Sequence, residues 1–215
     1  MTDVFAKNTA TSAADAAKIT PRAEFRVFGQ GIIADVQAKI WNGKTVLFQA
    51  RKMPAETYFL STHTRDANIK VRDGLLDVKL KTGATPDGYE IFQPSGKFQF
   101  PVTNDQLAAI AGHLKVTLPE PIVLAARVTF DEFLAMARKH PDLVPVSVEK
   151  MRWGFTIDGI ICEYAQVFFN GAMVESACVE SENYAGMKAV IESLGLSSRP
   201  NVNYLKAAAS VVGMD

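Results

Sequence analysis

A chain of 215 residues with 48% hydrophobic content is long enough to bury a core, as one large domain or two small ones. A formal net charge of zero leaves no global field toward nucleic acid or an anionic membrane, so charge chemistry must come from local segregation. The two cysteines, Cys162 and Cys178, make no disulfide framework, and no apolar run approaches the ~20 residues of a membrane helix. A cytoplasmic location is expected.

The first twenty residues are Ala/Thr-rich and lack the basic and apolar regions of a signal peptide, so residues 1–20 are expected to be a flexible tail. A single domain over 21–215 follows. From Pro21 the pattern is mostly strand. AEFRVFG, IIADVQAKIW, TVLFQARKM and NIKVRDGLLDVKLKT are rich in β-branched and aromatic residues and are punctuated by glycine turns. GYEIFQ and GKFQFPV read as a further hairpin around Pro94-Ser95-Gly96. Helices are expected over NDQLAAIAGHL, capped by Asn104, and over TFDEFLAMARKH, starting at Thr129. The segment KMRWGFTIDGIICEYAQVFFNGAMVESACVESE then makes a strand meander, and ENYAGMKAVIESLGL and NYLKAAASVV close the chain as helices. With roughly ten to twelve strands and helices between them, the class is α+β, dominated by antiparallel pairing.

Turn dipeptides fix register, and register fixes faces. With Asp73-Gly74 as a turn, Lys70, Arg72, Asp77, Lys79 and Lys81 share one face, and Ile69, Val71, Leu76, Val78 and Leu80 fill the other. With Asp158-Gly159 and Asn170-Gly171 as turns, Glu163 lies opposite Gly154 and Cys178, and Ile161 lies opposite Glu180. Lys150, Arg152, Glu163, Glu180 and Glu182 then share a charged face, backed by Trp153, Phe155, Cys162, Tyr164 and Val179. Glu175 falls on the apolar side and is expected to reach solvent. The cysteines fall on opposite faces and should not bond to each other. Such faces are solvated in many half-buried sheets. Here basic residues cluster on one hairpin and glutamates on another, a mixture suited to holding a polyanion and a hard cation inside a closed barrel.

These motifs, in this order over residues 22 to 206, resemble the CYTH or triphosphate tunnel metalloenzyme superfamily. That superfamily includes CyaB-type adenylate cyclases, thiamine-triphosphatases and inorganic triphosphatases. Its opening Glu-x-Glu-x-Lys strand is similar to Arg22-Ala23-Glu24-Phe25-Arg26. Its later basic strands are similar to Lys70-Val71-Arg72, Lys79 and Lys150-Met151-Arg152. Its acidic strands are similar to those carrying Glu163 and Glu180-Ser181-Glu182. The resemblance implies a closed antiparallel barrel of about eight strands. It also implies a metal-dependent phosphohydrolase or phosphoryl or nucleotidyl transferase acting on a triphosphate substrate. Arg26, Lys70, Arg72, Lys79, Lys150 and Arg152 would bind that substrate. Glu24, Glu180 and Glu182 would hold Mg2+ or Mn2+, and Glu163 would orient the attacking water. The implied partner is a small-molecule triphosphate or other polyanion, with no nucleic acid or membrane, in a monomer or homodimer. Arg22 and Arg26 depart from the family pattern, and Arg22 removes a carboxylate from the metal-holding strand. That departure favours an alternative: a non-catalytic barrel binding polyphosphate, a nucleotide or another organic anion.

Elsewhere the chain carries no Walker A sequence, and Gly29-Gln30-Gly31 reads as a turn. Trp41 and Trp153 are expected in the core.

Overall fold

A computed structural model describes residues 21–41, 45–46, 49–123 and 126–214. Eight strands close into one antiparallel barrel, in the order β1 (Ala23–Gly29), β10 (Ala172–Ser181), β9 (Ile160–Phe169), β8 (Leu143–Ile157), β2 (Gln49–Ser61), β3 (Ala67–Arg72), β4 (Leu75–Ala84) and β5 (Glu90–Gln99). Two short strands, β6 (Val102–Thr103) and β7 (Arg127–Val128), pair outside it. The helices are α1 (Ile32–Ile40), α2 (Asn104–Leu114), α3 (Glu120–Val123), α4 (Phe130–Lys139), α5 (Tyr184–Ser193) and α6 (Tyr204–Val211). The class is α+β, built on a closed β-barrel, as the resemblance implies. Residues 1–20 and the Leu47–Phe48 part of TVLFQARKM lie outside the described residues.

Three turns set the register as the sequence requires. Asp73-Gly74, Asp158-Gly159 and Asn170-Gly171 each have positive φ at both residues, the conformation of a type I′ hairpin turn. Lys70 pairs with Asp77, Gly154 with Glu163, Glu163 with Cys178, and Ile161 with Glu180. Each pairing places its side chains on the expected face. Both cysteines are buried and free, one on each side of the sheet.

Outside the barrel, two apolar layers cover the sheet. Phe25, Val27, Phe155, Cys162, Tyr164 and Val179 pack against α1 and α5 through Ile32, Val36, Met187 and Ile191. Ile69, Val71, Leu76 and Val78 pack against α2 and α4 through Leu107, Ile110 and Phe133. Thr103 and Thr129 close capping boxes with Gln106 and Glu132, so α2 begins one residue after its cap, which is Thr103 rather than Asn104.

The wall between β1 and β5 is short. Only Ala23 and Glu24 pair with β5. Beyond them the backbone of Arg26 is satisfied by the C-terminal segment: its N–H donates to Asn201 Oδ1 at 2.9 Å and its carbonyl accepts from Val202 N–H at 2.7 Å. The chain that leads into α6 therefore fills the seam of the barrel.

Four further expectations are corrected. IIADVQAKIW forms α1 and not a strand. Its Ile-Ala-Val-Ala-Ile alternation fits a period of two, but Ala34 and Ala38 are exposed while Ile32, Val36 and Ile40 are buried at a spacing of four. Alanine's helix preference then decides, with Gly31 in a left-handed conformation at the N-cap. Residues 90–99 form one strand, because Pro94-Ser95-Gly96 makes a bulge: Val78 pairs with Gly96 and Lys79 with Pro94, leaving Ser95 over. Glu175 does not simply reach solvent; its Oε2 accepts the Ile33 N–H at 3.0 Å and satisfies a free donor at the start of α1. Trp41 is 80% exposed, whereas Trp153 stacks on Tyr164 at 5.3 Å.

Candidate anion-binding tunnel

The inward faces of the strands divide the barrel lengthwise. At one end Leu60, Val146, Val148, Val167 and Phe169 pack around Leu205, Ala207, Ala208 and Ala209 of α6. Small alanine side chains let a helix enter this end, and α6 closes it. Asn203 caps the helix through the Lys206 N–H at 2.9 Å and donates from Nδ2 to Glu90 at 2.7 Å. Glu90 also accepts from Lys81 at 2.9 Å and Lys206 at 3.0 Å, which fastens α6 to β4 and β5. Burial raises the Glu90 carboxyl, but these donors outweigh it and hold the group below the usual carboxylate range.

The other end is a polar cavity of about 250 Å3 above α6. Lys70 and Arg72 enter it from β3, Lys79 from β4, and Lys150 and Arg152 from β8. Arg22, Glu24 and Arg26 line the β1 side, with Glu163 and Glu180 from β9 and β10. Tyr58 and Tyr204 lie among these residues, with Tyr204 at the junction with α6. The Tyr204 ring holds the Lys150 ammonium at 4.1 Å and the Arg26 guanidinium at 4.6 Å from its centroid.

Two buried carboxylates organise the cations. Glu56, 2% exposed, accepts from Lys70 at 2.8 Å and from Lys150, with Arg72 at 3.4 Å. Burial raises its carboxyl, but Lys150 and Lys70 prevail and bring it down to about 2. Lys150 is pulled by burial down to about 7, against the opposing pull of Glu56. Lys70 is likewise lowered by burial. Glu163, 5% exposed, pairs with Arg152 and, at 3.4 Å, with Arg26. Arg26 in turn grips Glu24 through Nε at 2.8 Å and Nη2 at 3.4 Å. Burial raises the Glu24 carboxyl, and Arg26 more than offsets it, leaving the group below its ordinary value.

Of the residues singled out in the sequence, Arg26, Lys70, Arg72, Lys79, Lys150, Arg152, Glu24, Glu163 and Glu180 all line this cavity. Glu182 sits at the rim, its side chain 49% exposed, with Arg22 at 3.8 Å. Lys81 is held away by Glu90. Sequence reasoning missed Glu56, Tyr58 and Tyr204. The first two were accessible in principle, because Glu56, Tyr58 and Leu60 alternate on one face of ETYFLS. A register shift between Met53 and Glu56 hides that face from a count begun upstream.

The carboxylates do not fit a divalent cation in this arrangement. Among the described residues no group of three or more His, Cys, Asp or Glu side chains is placed to hold a metal ion. Glu24 and Glu163 are paired with Arg26, and Glu180 and Glu182 with Arg22 at 3.6 and 3.8 Å. Mg2+ requires near-octahedral oxygen ligands at short range, and guanidinium groups already take these oxygens.

No family model matches the sequence, and no curated protein matches it. Among solved structures, the chain is similar to a conserved hypothetical protein from Pyrococcus furiosus, at 14% identity and a TM-score of 0.48, over 86% of this chain and 98% of that one. It is also similar to a Hippeastrum protein described as a candidate adenylyl cyclase with a dominant triphosphatase activity, at 12% identity and a TM-score of 0.45, over 89% and 95%. A candidate adenylate cyclase from Bacillus halodurans gives 12% identity and a TM-score of 0.46 over 87% and 96%. At such values the functional reading rests on the barrel's own lining. No helix among the described residues is long and apolar enough to cross a membrane. The chain closes an eight-stranded antiparallel barrel with a charged inner lining, the architecture that the sequence resemblance implies.

Proposed function

We propose that the tunnel binds a small polyanion carrying a triphosphate or a comparable run of phosphate groups. The observation that carries this reading is the basic excess around one small cavity. Lys70, Arg72, Lys79, Lys150 and Arg152 converge from three strands. The Lys79 ammonium makes no close ion pair among the described residues and acts on Glu24 only at longer range, and the Arg72 and Arg152 side chains are each about one-third exposed. Arg forks and Lys point charges suit phosphate oxygens. Glu56 positions Lys70 and Lys150 and keeps their mutual repulsion in check. A lining of this kind selects for phosphate number and chain shape more than for the attached organic group.

The second reading is a phosphohydrolase or phosphoryl transferase acting on the same substrate; the Mg2+ or Mn2+ dependence that the resemblance implies would require Arg22 and Arg26 to release Glu180, Glu182 and Glu24. Glu163 favours it by lining the cavity beside the basic residues; once Arg26 or Arg152 turned to a bound phosphate, the freed carboxylate oxygen would orient an attacking water. Measuring phosphate release from tripolyphosphate and ATP, with and without Mg2+ or Mn2+, separates the two. Saturable binding without turnover supports the binding protein. Turnover that is lost in Glu163→Gln while tripolyphosphate still binds supports the enzyme.

A further inference from the structure

Two arginines, Arg22 just before β1 and Arg26 within it, stand where the acidic strands converge. Across β1 and β10, Glu24 lies directly opposite Glu180. Like charges in that position repel, and hard cations or fixed positive groups are the usual remedy. Here the remedy is covalent. Arg22 lies beside Glu180 and Glu182 at 3.6 and 3.8 Å. Arg26, 4% exposed, spreads its donors over two strands of carboxylate. Nε and Nη2 reach Glu24, and Nη1 reaches Glu163 at 3.4 Å, Ser176 Oγ at 3.2 Å and the Tyr204 hydroxyl at 3.5 Å. The Arg26 guanidinium stays protonated, and burial with its hydrogen bonds to Glu24, Glu163, Ser176 and Tyr204 holds it in place. A divalent ion entering the acid wall would have to break these pairs and then sit beside the freed positive charge.

We infer that Arg22 and Arg26 do the neutralising work of a metal on this wall, so that the tunnel takes its polyanion in the metal-free form and discriminates against the Mg2+ complex. This rests on the polyanion-binding reading above. Its content is additional, since it states which ionic form of the ligand is bound and which two residues set that choice. The basic wall of Lys70, Arg72, Lys79 and Arg152 attracts the free anion more strongly than its Mg2+ complex. A bound Mg2+ would cancel two of those charges and present a cation to Arg26.

The test is calorimetric titration of the full chain with tripolyphosphate at matched ionic strength, in EDTA and in excess Mg2+. The expected result is saturable binding in EDTA, weakened by about tenfold or more in Mg2+, equivalent to about 1.4 kcal/mol or more. Affinity that is equal or higher in Mg2+ overturns the inference and leaves the polyanion reading standing. Absence of binding in both buffers overturns that reading, and this inference with it. A direct Mn2+ titration followed by electron paramagnetic resonance gives an independent arm. The wild-type chain should leave Mn2+ free, and the double variant Arg22→Glu, Arg26→Lys, with folding checked by circular dichroism, should gain a bound Mn2+ signal. Stoichiometric Mn2+ binding by the wild-type chain overturns the inference whether or not the double variant folds.

Discussion

Glu56 on β2 accepts a hydrogen bond from the Lys150 ammonium on β8, and the two residues are 2% and 8% exposed. The pair bridges adjacent strands inside the barrel, and Lys70 approaches the same carboxylate from β3 on the other side. Buried pairs add little net stability over apolar substitutes, but removal of one partner leaves an uncompensated charge. Glu56→Ala strands two lysines and should cost about 3–5 kcal/mol. Urea denaturation measures this directly. Glu56→Gln, which keeps shape and some hydrogen bonding, should cost less.

The same pair predicts a pH dependence. Lys150 titrates at about 7 in the folded chain, below its ordinary 10.5. Between those values the unfolded chain holds a proton that the folded chain has lost, so this residue makes stability rise with pH across that window. Glu56 is depressed to about 2 from 4.5, so its contribution is present above 4.5 and is lost as pH falls through 2. Binding has the opposite slope near neutrality. A polyanion prefers the charged lysine, so tripolyphosphate affinity should fall as pH rises through 7. Titrations at pH 6 and pH 8 check this, and Lys150→Met should flatten the difference.

Lys79 separates binding from folding. It faces the cavity and makes no close ion pair among the described residues, acting on Glu24 only at longer range. Lys79→Ala should therefore leave stability within about 0.5 kcal/mol of wild type. It should also remove a charge-assisted contact of about 1.5–3 kcal/mol from a bound polyanion. Thermal melts and tripolyphosphate titration, run together, decide the point.

The plug is open to a packing test. Leu205 is buried against the apolar end of the barrel and also borders the cavity. Leu205→Ala should destabilise the chain by about 2–5 kcal/mol. Because Tyr204 is the neighbouring residue and carries Lys150 and Arg26 on its ring, tripolyphosphate affinity should weaken as well.

Much of the charged lining was legible because three tight turns lie between strands that carry it. A type I′ turn leaves no freedom in the pairing that follows, so residues as far from the turn as Glu163 and Glu180 could be assigned a face by counting. Where the ladder slips, counting fails. The shift between Met53 and Glu56 concealed the most buried carboxylate of the site, and the Ser95 bulge made one strand look like two. Helix α1 was hidden for a different reason: its sequence satisfies both periods, and only the exposure of two alanines decides between them. No local pattern placed Tyr204 in the site. Its position depends on α6 entering the barrel, a tertiary event that no short pattern in NYLKAAASVV encodes.

The central claim is that the charged end of the barrel is a polyanion site. It is tested most directly by titrating tripolyphosphate into the wild-type chain and into Arg72→Ala, Lys79→Ala at low salt. Saturable one-site binding by the wild-type chain, weakened at least tenfold in the folded variant, is the predicted result. No saturable binding by the wild-type chain, or equal binding by the variant, would contradict it.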